Sequence, residues 1–97
     1  MYNRLIFEWD PKKSLENERK HGVSFAEGQT VFYDENAVEF FDPDHSEGED
    51  RFILLGVSAQ LRLLVVCHCL RRRHTIRIIS ARKANKNEET DYLEMKR

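Results

Sequence analysis

Phe52-Ile53-Leu54-Leu55-Gly56-Val57, Leu61-Arg62-Leu63-Leu64-Val65-Val66-Cys67-His68-Cys69 and Thr75-Ile76-Arg77-Ile78-Ile79-Ser80-Ala81 follow one another closely. The first two runs are apolar on both faces over much of their length, which suits central strands covered on each side. Ser58-Ala59-Gln60 between them is short enough for a hairpin, and Arg71-Arg72-Arg73 sits at the next turn. Strands in hairpin succession predict an antiparallel sheet.

Upstream, Arg4 to Trp9 alternates weakly and predicts a first strand. Asp10-Pro11 reads as an N-cap followed by proline at the first helical position, so a short helix should run to about Lys20. That helix is mostly polar, with Leu15 as its expected anchor, and Gly22 can close it in the left-handed conformation. Ser24 and Glu27 match a capping box, predicting a second short helix to about Phe32. Ala37 to Phe41 is a short strand, and Asp42-Pro43-Asp44-His45-Ser46-Glu47-Gly48 a loop. Downstream, Asn85 to Glu88 resembles a cap, with a terminal helix to Lys96 anchored by Tyr92, Leu93 and Met95. The expected class is α+β: two N-terminal helices on an antiparallel sheet of about four to five strands, plus a C-terminal helix. Residues 1–97 are expected to form a single domain.

The composition is 40% apolar and 34% charged, with 16 basic against 17 acidic residues, which excludes low-hydrophobicity disorder. No apolar run suits a secretory signal or a membrane span, and the neighbouring thiols Cys67 and Cys69 are poorly placed to bridge. A cytoplasmic protein is expected.

The balanced net charge conceals a polarised chain. Residues 34–50 carry eight acidic side chains and no basic ones; residues 51–83 carry eight basic ones and no acidic ones. Seven of those eight are arginine, the side chain suited to bidentate phosphate contact. The competing reading is that the acidic loop folds back and neutralises the basic strands.

Four stretches fall in order along the chain: Phe7-Glu8-Trp9-Asp10, Lys20-His21-Gly22-Val23-Ser24-Phe25, Asp42-Pro43-Asp44-His45-Ser46, and Arg77-Ile78-Ile79-Ser80-Ala81-Arg82-Lys83-Ala84. Together they resemble the BrnT family of bacterial toxins. The resemblance implies a RelE-like fold and a cytoplasmic ribonuclease that arrests translation. It also implies a BrnA-type antitoxin as partner, through which the complex binds operator DNA. The chain departs from the family pattern in its terminal helix, which carries Glu88, Glu89, Asp91 and Glu94 where members often carry arginine. An acidic helix is not expected to lie on RNA phosphate.

RNA supplies its own nucleophile, the 2′-hydroxyl. The protein must move protons and place positive charge at a phosphorus centre that gains negative charge. No cofactor or metal is expected. Arg77, Arg82 and Lys83 are the leading phosphate ligands, with Arg51 beside them and Arg71, Arg72 and Arg73 as further RNA contacts. His68 is a candidate base. A two- or four-residue turn after it would place it with Arg77 and Lys83; a three-residue turn would place it with His74, Ser80 and Arg82. Lys20 and His21 either reach the substrate or cap the first helix, and Tyr92 either stacks on RNA or anchors the last helix. Trp9 fits the core better than a stacking role. Cys67-His68-Cys69 does not suit zinc, because alternation points the thiols one way and the imidazole the other. Asp44-His45-Ser46 has the residue types of a hydrolase triad, but contiguity suits loop capping better. A metal-independent endoribonuclease is the leading reading; the alternative is a non-catalytic module that binds nucleic acid or protein.

Overall fold

The computed structural model describes residues 5–95. Its elements are β1 (Ile6–Glu8), α1 (Pro11–His21), α2 (Phe25–Thr30), β2 (Val38–Phe41), β3 (Arg51–Val57), β4 (Leu63–Arg71), β5 (Thr75–Lys83) and α3 (Lys86–Met95). Arg4 and Lys96, where the first strand and the last helix were expected to start and end, lie outside the described residues. The five strands form one sheet in the order β1-β5-β4-β3-β2. Strands β2 to β5 are the antiparallel hairpins expected, but β1 pairs with β5 in parallel, so the sheet is mixed. The chain leaves β1, crosses one sheet face as α1 and α2, enters the far edge as β2, and returns strand by strand to lie beside β1.

The Asp10 carboxylate accepts from the Lys12 amide at 2.9 Å to start α1. Gly22, at φ 72°, ends it, its amide donating to the Glu18 carbonyl at 2.8 Å. Leu15 does not anchor this helix: it is 61% exposed, and Asn17 is the buried residue. The Asn17 amide donates to the carbonyls of Val23 and Ala81 at 2.8 Å each, and its oxygen accepts from the Ala81 amide at 3.3 Å. It thereby stands in for a neighbouring strand along the part of β5 that β1 is too short to cover.

The Ser24 hydroxyl caps the Glu27 amide at 3.0 Å, but the Glu27 side chain does not reach back. It turns inward to Arg62 and Ser58, because a buried carboxylate needs a cation more than a cap. At α3 the reciprocal box does form: Glu88 amide to Asn85 Oδ1 and Asn85 amide to Glu88 Oε1, both 2.8 Å.

The main core lies under the two N-terminal helices. Val23, Phe25 and Val31 meet Leu54, Leu64, Val66, Ile76, Ile78 and Ala81 there. Each large apolar side chain so buried contributes about 1.5–3 kcal/mol. A Cβ on Gly56 would meet Val31 at 2.9 Å and Ala37 and Asp34 at 3.0 Å, so only glycine lets the 31–37 segment approach β3. The opposite sheet face is covered at one end by α3, where Tyr92 packs with Leu55 and Val65. Leu93 and Met95 are not anchors; they are exposed.

Candidate functional site: an arginine row beside a held histidine

Arg77 and Arg82 are five residues apart, so strict alternation would send them to opposite sheet faces. The pairing prevents this. Cys67 lies opposite Ser80 and His68 opposite Ile78, which leaves Ile79 as an extra residue in β5. The bulge returns Arg82 to the face of Arg77 and moves Lys83 to the other. On the face away from α1 and α2, Arg77, Cys69 and Arg51 are direct neighbours across β5, β4 and β3. Arg71 follows Cys69 by two residues on the same face.

Three of these arginines are paired. Arg77 meets Glu8 at 3.3 Å, Arg71 meets Glu49 at 2.9 Å, and Arg82 holds Glu88 bidentately at 2.9 and 2.8 Å. The Arg82 guanidinium holds the Glu88 carboxyl below the usual carboxylate range. The Cys69 thiol, with Arg71, does the same to Glu49, while burial pushes the Cys69 thiol up. Arg51 has no carboxylate partner among the described residues. Of the acidic 34–50 segment, Glu49 is the residue that pairs with an arginine of the basic segment; Arg62, Arg77 and Arg82 are paired from elsewhere. The loop therefore meets the basic strands at one end, pairing with Arg71 and lying beside Arg51, while Arg62, Arg77 and Arg82 are compensated by other segments. Arg72 and Arg73 project from the exposed tip of the β4–β5 hairpin, Arg72 with φ 57°.

Three clefts meet along this face. Asp10, Lys13, Glu49, Arg51, Arg71, Arg77 and Ile79 line the middle one. Arg51 is shared with a second, formed with Asp44, His45 and Glu47. Lys13 and Ile79 are shared with a third, which adds Glu16, Asn17, Lys20, His21 and Ser80. A continuous track of mixed charge thus runs from His45 past the arginine row to the end of α1, with Asp10, Glu16, Asp44, Glu47 and Glu49 interleaved among its cations. His45 is held there: its Nδ1 lies 3.0 Å from Asp42 Oδ2, in a 3₁₀ turn over Pro43–His45. Nδ1–H donation to the carboxylate leaves Nε2 as the free acceptor.

The structure gathers Arg51, Arg71 and Arg77 with Lys20 and His21 at the far end, and does not bring His68, Lys83 or Tyr92 to them. The turn after β4 has three residues, Arg71 pairing with Thr75, yet His68 joins neither expected set, because the bulge shifts Ser80 and Arg82 away from it. His68 is 1% exposed, packed against Phe32 at 4.8 Å and Phe52 at 6.0 Å, with Nε2 3.2 Å from Glu39. Burial pushes its pKa down. The Tyr92 hydroxyl donates to Asp34 Oδ2 at 2.6 Å, and burial first, then Asp34, pushes its pKa up to about 12. Trp9 packs edge-on to Phe25. Sequence reasoning passed over Lys13, the Ile79 bulge and the Asp42–His45 pair. The signal for the last was the three-residue spacing across a proline-initiated turn. Among the described residues no three His, Cys, Asp or Glu side chains are clustered to hold a metal ion, and no helix is long and apolar enough to cross a membrane.

A family model described as the ribonuclease toxin BrnT of type II toxin–antitoxin systems matches residues 9–88. The chain is also similar to the 1.1 Å crystal structure of the Brucella abortus ribonuclease toxin BrnT, with 22% identity and a TM-score of 0.65 over 86% of this chain and 100% of that one. At that identity the likeness is one of fold. No curated protein matches the chain.

Proposed function

Because the chain belongs to the BrnT family of ribonuclease toxins of type II toxin–antitoxin systems, we propose that it cuts RNA in the track between His45 and His21 without a metal ion. His45, oriented by Asp42, takes the 2′-hydroxyl proton at Nε2. The 2′-oxygen forms a bond to the adjacent phosphorus, and the bond to the 5′-oxygen breaks. Lys13, in the same cleft as Arg51 and Arg77, returns a proton to that leaving oxygen. Arg51, Arg71 and Arg77 stabilise the charge that grows on the phosphoryl oxygens. Arg82, closed on Glu88, is assigned to holding α3 rather than to phosphate.

The Asp42–His45 pair opening onto an arginine that makes no ion pair among the described residues carries this reading. The same reading includes a RelE-like class for the fold, cytoplasmic action, arrest of translation, and a BrnA-type antitoxin that covers the arginine row and binds operator DNA. The paired arginines remain usable because half-exposed ion pairs such as Arg77–Glu8 are worth only about 0–1 kcal/mol, so a phosphate can replace the carboxylate. Incubating the purified protein with RNA in chelator tests the proposal. Fragments with 2′,3′-cyclic phosphate and 5′-hydroxyl ends are expected, and His45→Ala should slow their release by about 10²–10⁴-fold. Undiminished cleavage by His45→Ala refutes the assigned base; intact RNA refutes the nuclease.

A further inference from the structure

The sheet face that carries the arginine row does not end at Arg51. Two residues along β3, on the order of 7 Å, it becomes apolar. There Phe40, Ile53, Leu55 and Val65 floor an open groove of about 250 Å³, with Glu88 and Asp91 of α3 as its rim. We propose that this groove holds a base of the RNA, guanine in preference to the others, with the Asp91 carboxylate reading its edge. The inference rests on the ribonuclease reading and adds a substrate preference to it.

The floor and the rim call for different things. An apolar, partly aromatic floor suits the face of a flat ring, the usual way single-stranded RNA is gripped. The step from Arg51 to Ile53 matches the reach from a phosphate to the base of its own nucleotide. At the rim, Glu88 is already engaged, by Arg82 and by the Asn85 amide. Asp91 is exposed, and its side chain makes no hydrogen bond or ion pair among the described residues. A carboxylate offers two acceptors and no donor. Guanine alone presents two adjacent donors, N1–H and N2–H, on its pairing edge. Adenine and cytosine set a donor beside an acceptor, and uracil flanks one donor with two acceptors. The acidic helix thereby has a place on RNA: it repels phosphate, which stays at the arginine end, and accepts from the base. Asp91 lies beyond residue 88, where the family match ends.

The four nucleoside 3′-monophosphates, titrated into the full chain by NMR, test this. Guanosine 3′-monophosphate should bind on the order of tenfold more tightly than the uridine compound, with shifts at Phe40 and Ile53. Asp91→Asn should erase that difference, and Glu94→Gln should keep it. Ile53→Trp fills the groove and should weaken all four; if it does not fold, the exposed Asp91→Asn still decides. Equal binding of the four nucleotides overturns the base subsite, and if Arg51→Ala still slows cleavage by about 10²–10³-fold then the nuclease stands without it. A guanine preference in a protein that cuts no RNA sinks the nuclease and leaves the base site. A groove silent to all four nucleotides, yet protected from hydrogen exchange by bound antitoxin, belongs to a protein side chain and overturns the proposal.

Discussion

At the scale of single residues, the charged groups divide by what holds them. Arg51 is unpaired among the described residues and lines two clefts; Arg82 is closed bidentately on Glu88, which also caps α3. Arg51→Ala should therefore cut kcat by about 10²–10³-fold, as loss of one transition-state donor does, with the melting temperature unchanged. Arg82→Ala should lower the melting temperature, because it frees α3. Steady-state kinetics and thermal melts on both variants check this. His68 makes a separate prediction. Burial lowers its pKa in the folded state even with Glu39 beside it, so the unfolded chain takes up the proton first. Stability should be full above the unfolded value of about 6.5 and fall as pH drops from there towards the lower folded value. Urea titrations from pH 8 to 5 should show that decline, and His68→Gln should flatten it.

Among the elements, β5 decides most. Its first three residues pair with β1; further along, Asn17 of α1 replaces the missing strand at Ala81. Asn17→Ala would leave buried backbone groups of Ala81 and Val23 without partners, at about 1–3 kcal/mol for each. A loss of about 3 kcal/mol in chemical denaturation is expected, with α1 released before the sheet in hydrogen exchange. The order of elements was legible in the sequence because each turn carries its own chemistry. Asp10-Pro11, Gly22, Ser24 and Asn85 act on backbone within four residues of themselves. The helix anchors were not legible. Leu15 looked apolar enough to be buried, yet α1 docks through an amide, since what the strand edge lacks is hydrogen-bond partners rather than apolar cover.

Across the whole molecule, the polarised charge survives folding only in part, since Arg62, Arg71, Arg77 and Arg82 are held in ion pairs, while Arg51 has no such pair among the described residues. Lys13, Lys20, Arg51, Arg71 and Arg77 line connected clefts, and the acidic 34–50 segment pairs with an arginine of the basic segment only through Glu49 among the described residues. If a single RNA strand covers those five cations, the slope of log affinity against log salt should be about −3.5. Binding assays between 50 and 200 mM salt measure it, and a slope near zero would show that the track does not hold phosphate.

Local sequence determined the family, the succession of elements and the segregation of charge, because residue identity and spacing to near neighbours suffice for each. Which side chains share a site was decided only in the folded sheet. One extra residue at Ile79 reverses every later side chain in β5. It joins Arg82 to Arg77, parts Lys83 from both, and leaves His68 in the core. A bulge arises from pairing between strands, so its position depends on a partner β-strand and cannot be read from β5 alone.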